Sequence, residues 1–403
     1  MSAAEQPAEA SLAGQGKNLA LATFAFAVTF WAWNIIGPLG VRYTEEMHLS
    51  GTQKALLVAT PVLVGSVGRI PVGALTDRYG GRLMFPVVTL LVVPFVLLVA
   101  VAGQAKSFPM MLIVGFFLGI AGTTFAIGVP FVNQWYTKDR RGFATGIFGA
   151  GMGGTALSAF FTPRMVKAFG YVPTHVIFAV ALVLTAILCW VAMRDSPLWK
   201  PNNAPVGPKL KAALKLPVTW QMSFLYAVAF GGFVAFSTYL PTYLKDIYDF
   251  NLTDAGTRTA GFAIAAVVAR PIGGVLSDRI GPRQVVAISM LGTAIFAAVV
   301  AFQPPLEWPA GLAFVLLAFF LGLGTGGVFA FVGKQAPAAE VGTVTGLVGA
   351  AGGLGGYFPP LIMGATFGMV FSGYGFGLML LVIVALIALV FTYTGIKDRE
   401  PAS

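Results

Sequence analysis

The sequence predicts an all-α membrane protein of twelve transmembrane helices, built as two repeated six-helix halves. Three observations predict it: 57% of the 403 residues are hydrophobic and only 10% charged, apolar runs of membrane-crossing length follow one another along the chain, and a charged motif recurs about 201 residues after its first appearance. Soluble domains carry about 25% charged residues. With a mean hydropathy of +0.83, most of this chain must face lipid or other apolar helices. Spans of roughly 20 residues each consume most of the length, which excludes a large soluble domain. The single cysteine, Cys189, excludes a disulfide framework and a cysteine-based metal site.

Residues 1–17 are small and polar, with Glu5 and Glu9 and no apolar core, so they read as a disordered cytoplasmic tail and not as a signal peptide. The apolar runs lie at 18–41, 53–76, 83–103, 108–135, 142–168 and 173–193, then at 217–243, 255–277, 284–304, 308–332, 341–367 and 373–395. They are numbered spans 1 to 12. Residues 194–216, rich in Pro and Lys, read as a cytoplasmic linker between a bundle over 18–193 and one over 217–395, because such a stretch packs no core. Residues 396–403 form the second tail.

An even number of spans puts both termini on one side. Placing that side in the cytoplasm assigns sixteen Lys and Arg to inner segments and seven to outer ones, which agrees with the positive-inside rule. The net charge of +10 therefore needs no nucleic-acid partner. Two arginines, Arg69 and Arg270, remain inside apolar spans, and all fifteen Asp and Glu fall outside the runs.

The repeat holds in two places. Arg69-Ile-Pro-Val-Gly-Ala-Leu-Thr-Asp77-Arg78-Tyr-Gly-Gly-Arg82 aligns with Arg270-Pro-Ile-Gly-Gly-Val-Leu-Ser-Asp278-Arg279-Ile-Gly-Pro-Arg283 at an offset of 201. The glycine run Gly142 to Gly153 aligns with Gly342 to Gly353 at an offset of 200. Span 2 thus corresponds to span 8, and span 5 to span 11. Six-span repeats joined by a central loop mark a transporter whose substrate sits between the halves.

An arginine at the bilayer centre costs roughly 2.5–3.5 kcal/mol on insertion scales. Arg69 and Arg270 each lie eight residues before the Asp of their loop, about 12 Å along a helix, so both guanidiniums are expected to meet near the midplane. No span supplies a carboxylate to pair with them, which points to a bound anion as the partner. The planar guanidinium fork suits a planar oxyanion and keeps its proton. Two such charges facing one monoanion leave about +1, whereas the empty site holds +2 and repels itself. This favours exchange of anions over simple uniport. Proton coupling usually relies on intramembrane Asp, Glu or His, and neither His48 nor His175 is well placed for it.

The glycines of spans 5 and 11, among them Gly149, Gly349 and Gly353, let helix backbones approach closely and leave room for a small substrate. The loops Asp77-Arg78 to Arg82 and Asp278-Arg279 to Arg283 are expected to touch neighbouring helix ends and to tune gating between the two facing states. They are not substrate ligands.

The arginine pair with both glycine runs resembles the nitrate/nitrite porter family of the major facilitators. The likeness is carried by Gly65-Ser-Val-Gly-Arg69-Ile-Pro-Val-Gly-Ala-Leu-Thr-Asp77 in span 2, Ala269-Arg270-Pro-Ile-Gly-Gly-Val-Leu-Ser-Asp278 in span 8 and the run Gly342 to Gly356 in span 11. It covers the chain apart from its tails. The resemblance implies the 6+6 pseudo-symmetric fold and a planar nitrate or nitrite held between the two arginines and flanked by aromatic faces. Phe125 in Gly122-Thr-Thr-Phe-Ala matches the aromatic of span 4, and Tyr226 and Phe230 match the Tyr-x-x-x-Phe pair of span 7. One departure stands in span 5, where the family usually has Gly-Asn and this chain has Gly151-Met152, so a hydrogen-bond donor to the anion is missing. Ala330 also stands where some members carry a lysine.

The expected function is nitrate/nitrite antiport by alternating access in the inner (plasma) membrane, by a monomer with both termini cytoplasmic and with neither enzymatic activity, cofactor nor metal. The partners are a small inorganic anion and the lipid bilayer. Three alternatives stay open: proton-coupled symport, transport of another small anion such as cyanate or a small carboxylate, and a membrane anion sensor.

Overall fold

The computed structural model describes residues 12–137, 140–202, 205–305, 311–337, 341–368 and 373–396. Among the described residues, eleven helices are long and apolar enough to cross a membrane: Gln15–Met47, Gly51–Tyr79, Gly81–Gln104, Phe108–Asn133, Phe143–Phe169, Tyr171–Ala192, Pro217–Tyr248, Leu252–Ile280, Pro282–Ala301, Leu312–Gln335 and Gly375–Thr394. These are spans 1 to 10 and span 12. Span 11 is divided into Val341–Gly355 and Phe358–Ala365, each too short alone. The division follows from its sequence. Gly355-Gly356 gives the chain a tight turn, in which the Gly356 N–H donates to Gly353 and the Tyr357 N–H to Leu354, and Pro359-Pro360 can only begin a new helix because proline offers no N–H to the preceding turn.

The broadest contacts between the halves pair span 2 with span 11, span 5 with span 8, and span 1 with span 7. Span 7 is the most enclosed, whereas spans 6 and 12 turn broad apolar stripes outward, with Leu184, Ile187 and Val191 on one and Ile383, Ile387 and Val390 on the other. Apolar side chains exposed at i, i+3, i+4 and i+7 are what a lipid-facing helix requires. The face that carries both chain ends is called the terminal side below, and the opposite face the far side.

The ends of the halves differ in detail from the expectation. The first helix begins at Gln15, inside the stretch read as tail, because Asn18 ties it down: the side chain is buried and its Oδ1 accepts from the Arg194 N–H at 2.9 Å. Residues 1–11 of that tail and 397–403 of the other lie outside the described residues. Ile396 is buried, so the packed end of span 12 reaches past 395. Within the linker, Val206–Leu214 is helical and docks through Ala213 and Leu214, whose carbonyls accept from Thr219 Oγ1 and Trp220 Nε1.

The two charged loops are anchored at equivalent places by different chemistry. In the first half, Asp195 accepts from the Arg82 N–H at 3.0 Å and crowds Gly80, whose φ of +80° favours glycine, so a carboxylate caps the start of span 3. Burial pushes the Asp195 carboxyl up from its ordinary value, against the Arg82 and Gly81 N–H groups that hold it down. In the second half, 201 residues on, the carbonyl of Ile396 accepts from Arg283 Nη2. Asp195→Ala leaves the cap without an acceptor and is expected to lower stability by about 1 kcal/mol. Asp195→Asn keeps an acceptor, carries no desolvated charge, and is expected to melt no lower than the parent. Thermal melting of detergent-solubilised protein, followed by size exclusion, distinguishes the two.

Candidate anion-binding site

Span 2 is interrupted at Gly68, which separates Gly51–Val67 from Arg69–Tyr79, and Arg69 opens the second piece. Span 8 carries Arg270 directly before Pro271, inside the continuous helix Leu252–Ile280. Each arginine is the nineteenth residue of a 29-residue span, about 6 Å to the terminal side of its centre. Both are buried, at 2% and 5% exposure.

Each guanidinium reaches across the interface to the glycine helix of the other half. Arg69 Nη1 donates to the Gly349 carbonyl at 2.6 Å, and its Nε donates to the Gly122 carbonyl at 3.3 Å. Arg270 lies against Gly149, where an added Cβ would come within 3.2 Å of Nε, and its Nη1 donates to Met152 Sδ at 3.2 Å. A side chain at 149 would crowd Arg270, whereas one at 349 would make ordinary contact with Phe125 and Arg69.

The pair shares one aromatic wall. Phe125 lies 5.0 Å from the Arg69 guanidinium and 5.6 Å from that of Arg270. Phe230 flanks Arg69 at 5.5 Å and Phe329 flanks Arg270 at 5.7 Å. Tyr226 stacks parallel on Phe230, with centroids 5.0 Å apart, and meets Phe329 edge-on at 4.7 Å. The Tyr226 hydroxyl points toward Arg270 without forming a hydrogen bond of good geometry. Arg69 Nη2 is likewise buried without a partner among the described residues. No Asp or Glu forms an ion pair with either arginine among the described residues. The result is two buried, unpaired groups, Arg69 Nη2 and the Tyr226 hydroxyl, beside a short aromatic slot and a second buried guanidinium, the chemistry that accepts a small delocalised oxyanion.

The structure thus brings Arg69, Arg270, Phe125, Tyr226, Phe230, Gly149, Met152 and Gly349 together. Gly353 sits elsewhere, against Ser66 of span 2, where an added Cβ would fall 2.1 Å from Oγ. It makes a helix–helix contact one turn from Arg69. The loop residues stand at the terminal ends: the Asp77 carbonyl accepts from the Asn202 N–H of the linker at 3.0 Å, Arg78 lies over Tyr79, and Asp278 and Arg279 end span 8.

Phe329 was not foreseen. A signal for it exists in the repeat, since Gly122-Thr-Thr-Phe125-Ala and Gly326-Gly-Val-Phe329-Ala align at an offset of 204. Also unforeseen is the far-side ion pair between Lys54 Nζ and Asp246 Oδ2, at 2.5 Å. In sequence both lie at the outer ends of their spans, Asp246 beyond the apolar run that ends at 243, but span 7 continues as helix to Tyr248 and carries Asp246 against the other half.

Comparison with known proteins agrees with this architecture. The sequence matches the Major Facilitator Superfamily over residues 22–358 and 249–403. It is 59% identical to the probable nitrate/nitrite transporter NarK2 of Mycobacterium tuberculosis, over 97% of this chain and 98% of that protein. It is 36% identical to the nitrite extrusion protein of Bacillus subtilis, over 93% and 92%, and 35% identical to the probable nitrate/nitrite antiporter NarK1 of Thermus thermophilus, over 85% and 83%. Among solved structures, a bacterial homologue of the human lysosomal transporter Spinster superposes with a TM-score of 0.71 at 17% identity, covering 94% of this chain and 96% of that one. With arginines, glycine helices and fold all in register, the chain belongs to the major facilitator superfamily and, within it, to the nitrate/nitrite porter family.

Proposed function

We propose that this chain carries nitrate and nitrite across the inner membrane by alternating access, exchanging one anion for the other, as a monomer with its termini in the cytoplasm. Transport without chemical change of the anion is the whole activity proposed. The observation that carries it is the pair of buried arginines, one from each half, facing one phenylalanine with no carboxylate paired to either among the described residues. A bound monoanion bridges the halves and offsets most of the mutual repulsion, so the loaded carrier closes more readily than the empty one. That asymmetry makes exchange the favoured mode. The names of the relatives support the choice of anion, and the positive-inside charge count supports the orientation.

The deciding experiment is counterflow into proteoliposomes. Labelled nitrite is expected to enter vesicles loaded with nitrate and to stop entering when internal nitrate is omitted. Uptake that needs a proton gradient and gains nothing from internal anion would replace exchange with symport.

Met152 gives a second expected result. Its thioether is a weak acceptor for Arg270 and donates nothing to an anion. Met152→Asn supplies an amide N–H, and a net hydrogen bond of about 1 kcal/mol corresponds to roughly a fivefold lower half-saturating nitrate concentration. Initial exchange rates across a nitrate series measure it.

A further inference from the structure

Between the arginine pair and the far side, spans 1 and 2 of the first half meet span 7 of the second along one seam. Phe26 of span 1 lies against Phe125, with ring centroids 5.8 Å apart; Asn34 follows Phe26 by eight residues and Thr238 follows Phe230 by eight, about 12 Å along each axis, so both stand beyond the aromatic slot at similar height. Both crowd Gly37 there: a Cβ on Gly37 would lie 2.8 Å from the Thr238 carbonyl oxygen and 3.0 Å from Asn34 Oδ1. Farther out, a Cβ on Gly40 would lie 3.2 Å from Thr242 Oγ1 and 3.1 Å from Val58 Cγ2. The outermost turn holds Lys54 and Asp246, each four residues from Val58 and Thr242 and joined to one another.

The seam carries donors that its closed form does not use. Asn34 is 1% exposed, and neither Nδ2 nor Oδ1 has a hydrogen-bond partner among the described residues; the buried Thr242 hydroxyl is in the same position. Unpaired polar groups in a packed seam are costly, and that cost vanishes when the halves part. Lys54, at 8% exposure, pairs with a carboxylate on the opposite half. The two members of the pair are not equivalent. Asp246 also accepts from the Tyr374 hydroxyl of its own half, itself 3.1 Å from the Tyr239 hydroxyl. On separation Asp246 keeps Tyr374, whereas Lys54 has lost its counter-ion and stands on the same wall as Asn34.

We infer that the parted seam is a second anion station on the far-side path, where the Lys54 ammonium holds a small oxyanion until Asp246 displaces it as the seam closes, with the Asn34 amide about two helical turns deeper on the same wall to take the anion next. The inference rests on the proposed passage of a small anion through the Arg69–Arg270 site. Lys54 therefore exchanges one negative partner for another in each cycle. An entering anion competes with Asp246 for it and so favours the open seam.

The test uses the full chain in proteoliposomes of determined orientation, with half-saturating nitrate measured separately on each face. Lys54→Gln is expected to raise the far-face value about tenfold with the terminal-face value unchanged, and Asp246→Asn, which frees Lys54, to lower the far-face value. A mere lock between the halves predicts that both variants shift the far-face value in the same direction, and that result overturns the station. Labelling of Thr242→Cys in a Cys189→Ser background by a membrane-impermeant thiol reagent reads the station without transport. External nitrate is expected to slow labelling when Lys54 is present and not in Lys54→Gln. Equal labelling with and without nitrate in the Lys54 form also overturns the proposal. A chain that shows this protection but no counterflow would instead remove the proposed exchange and leave the station standing.

Discussion

Arg69→Lys and Arg270→Lys are each expected to reduce nitrate/nitrite counterflow by about tenfold to a hundredfold, the equivalent of one charge-assisted hydrogen bond worth about 1.5–3 kcal/mol. The charge is kept in both variants, so the loss measures the guanidinium fork. A lysine offers a compact point charge with no planar pair of donors, and it has no planar group to set beside Phe125 and Phe230, whose ring centroids lie 5.0 and 5.5 Å from the Arg69 guanidinium. The variants should also differ from one another. Arg69 is bonded to a backbone carbonyl of the other half, Gly349, at 2.6 Å, whereas the corresponding bond of Arg270 ends on a thioether. Arg69→Lys therefore removes a stronger cross-half tie, and its slowing should appear in the turnover rate as well as in half-saturation. Full counterflow by both lysine variants would show that positive charge alone holds the anion.

The second large effect is expected where no charge is involved. Spans 8 and 10 cross in backbone contact at two glycines one turn apart: a Cβ on Gly322 would lie 2.1 Å from the Ala266 carbonyl oxygen, and one on Gly326 would lie 2.1 Å from that of Arg270 itself. Small residues four apart are what close helix approach in a membrane requires. Because the obstacle is backbone, no rotamer change relieves it. Gly326→Val is expected to push span 10 from span 8, displace Arg270 and Phe329 from the slot, and remove both counterflow and most of the folded protein recovered from the membrane; overpacking alone costs about 1–3 kcal/mol. The matching control is Gly146→Ala in span 5, where an added Cβ meets nothing within 4 Å. Alanine is the better helix former by up to about 1 kcal/mol, so this variant should express and melt at least as well as the parent. Expression, thermal melting and counterflow on the two variants separate a glycine needed for packing from one that is not.

The contrast between Gly326 and Gly146 shows where reading the chain succeeds and where it stops. Composition alone carried the all-helical membrane fold, because lipid imposes one requirement, about 20 apolar residues per crossing, and that requirement is written locally. The repeat carried the correspondence of span 2 with span 8 and of span 5 with span 11, and buried charge picked out Arg69 and Arg270, since an arginine within an apolar span is costly wherever the helix packs. Partners were not legible in the same way. Nothing along the chain distinguishes Gly349, which faces Arg69, from Gly353, which abuts Ser66, or marks Lys54 and Asp246 as a pair, because 192 residues separate them. Those assignments depend on how one helix is rotated and set against another. Contacts in this molecule are made between helices whose surfaces are nearly uniform in hydrophobicity, so shape decides them, and shape is settled only when both halves are assembled.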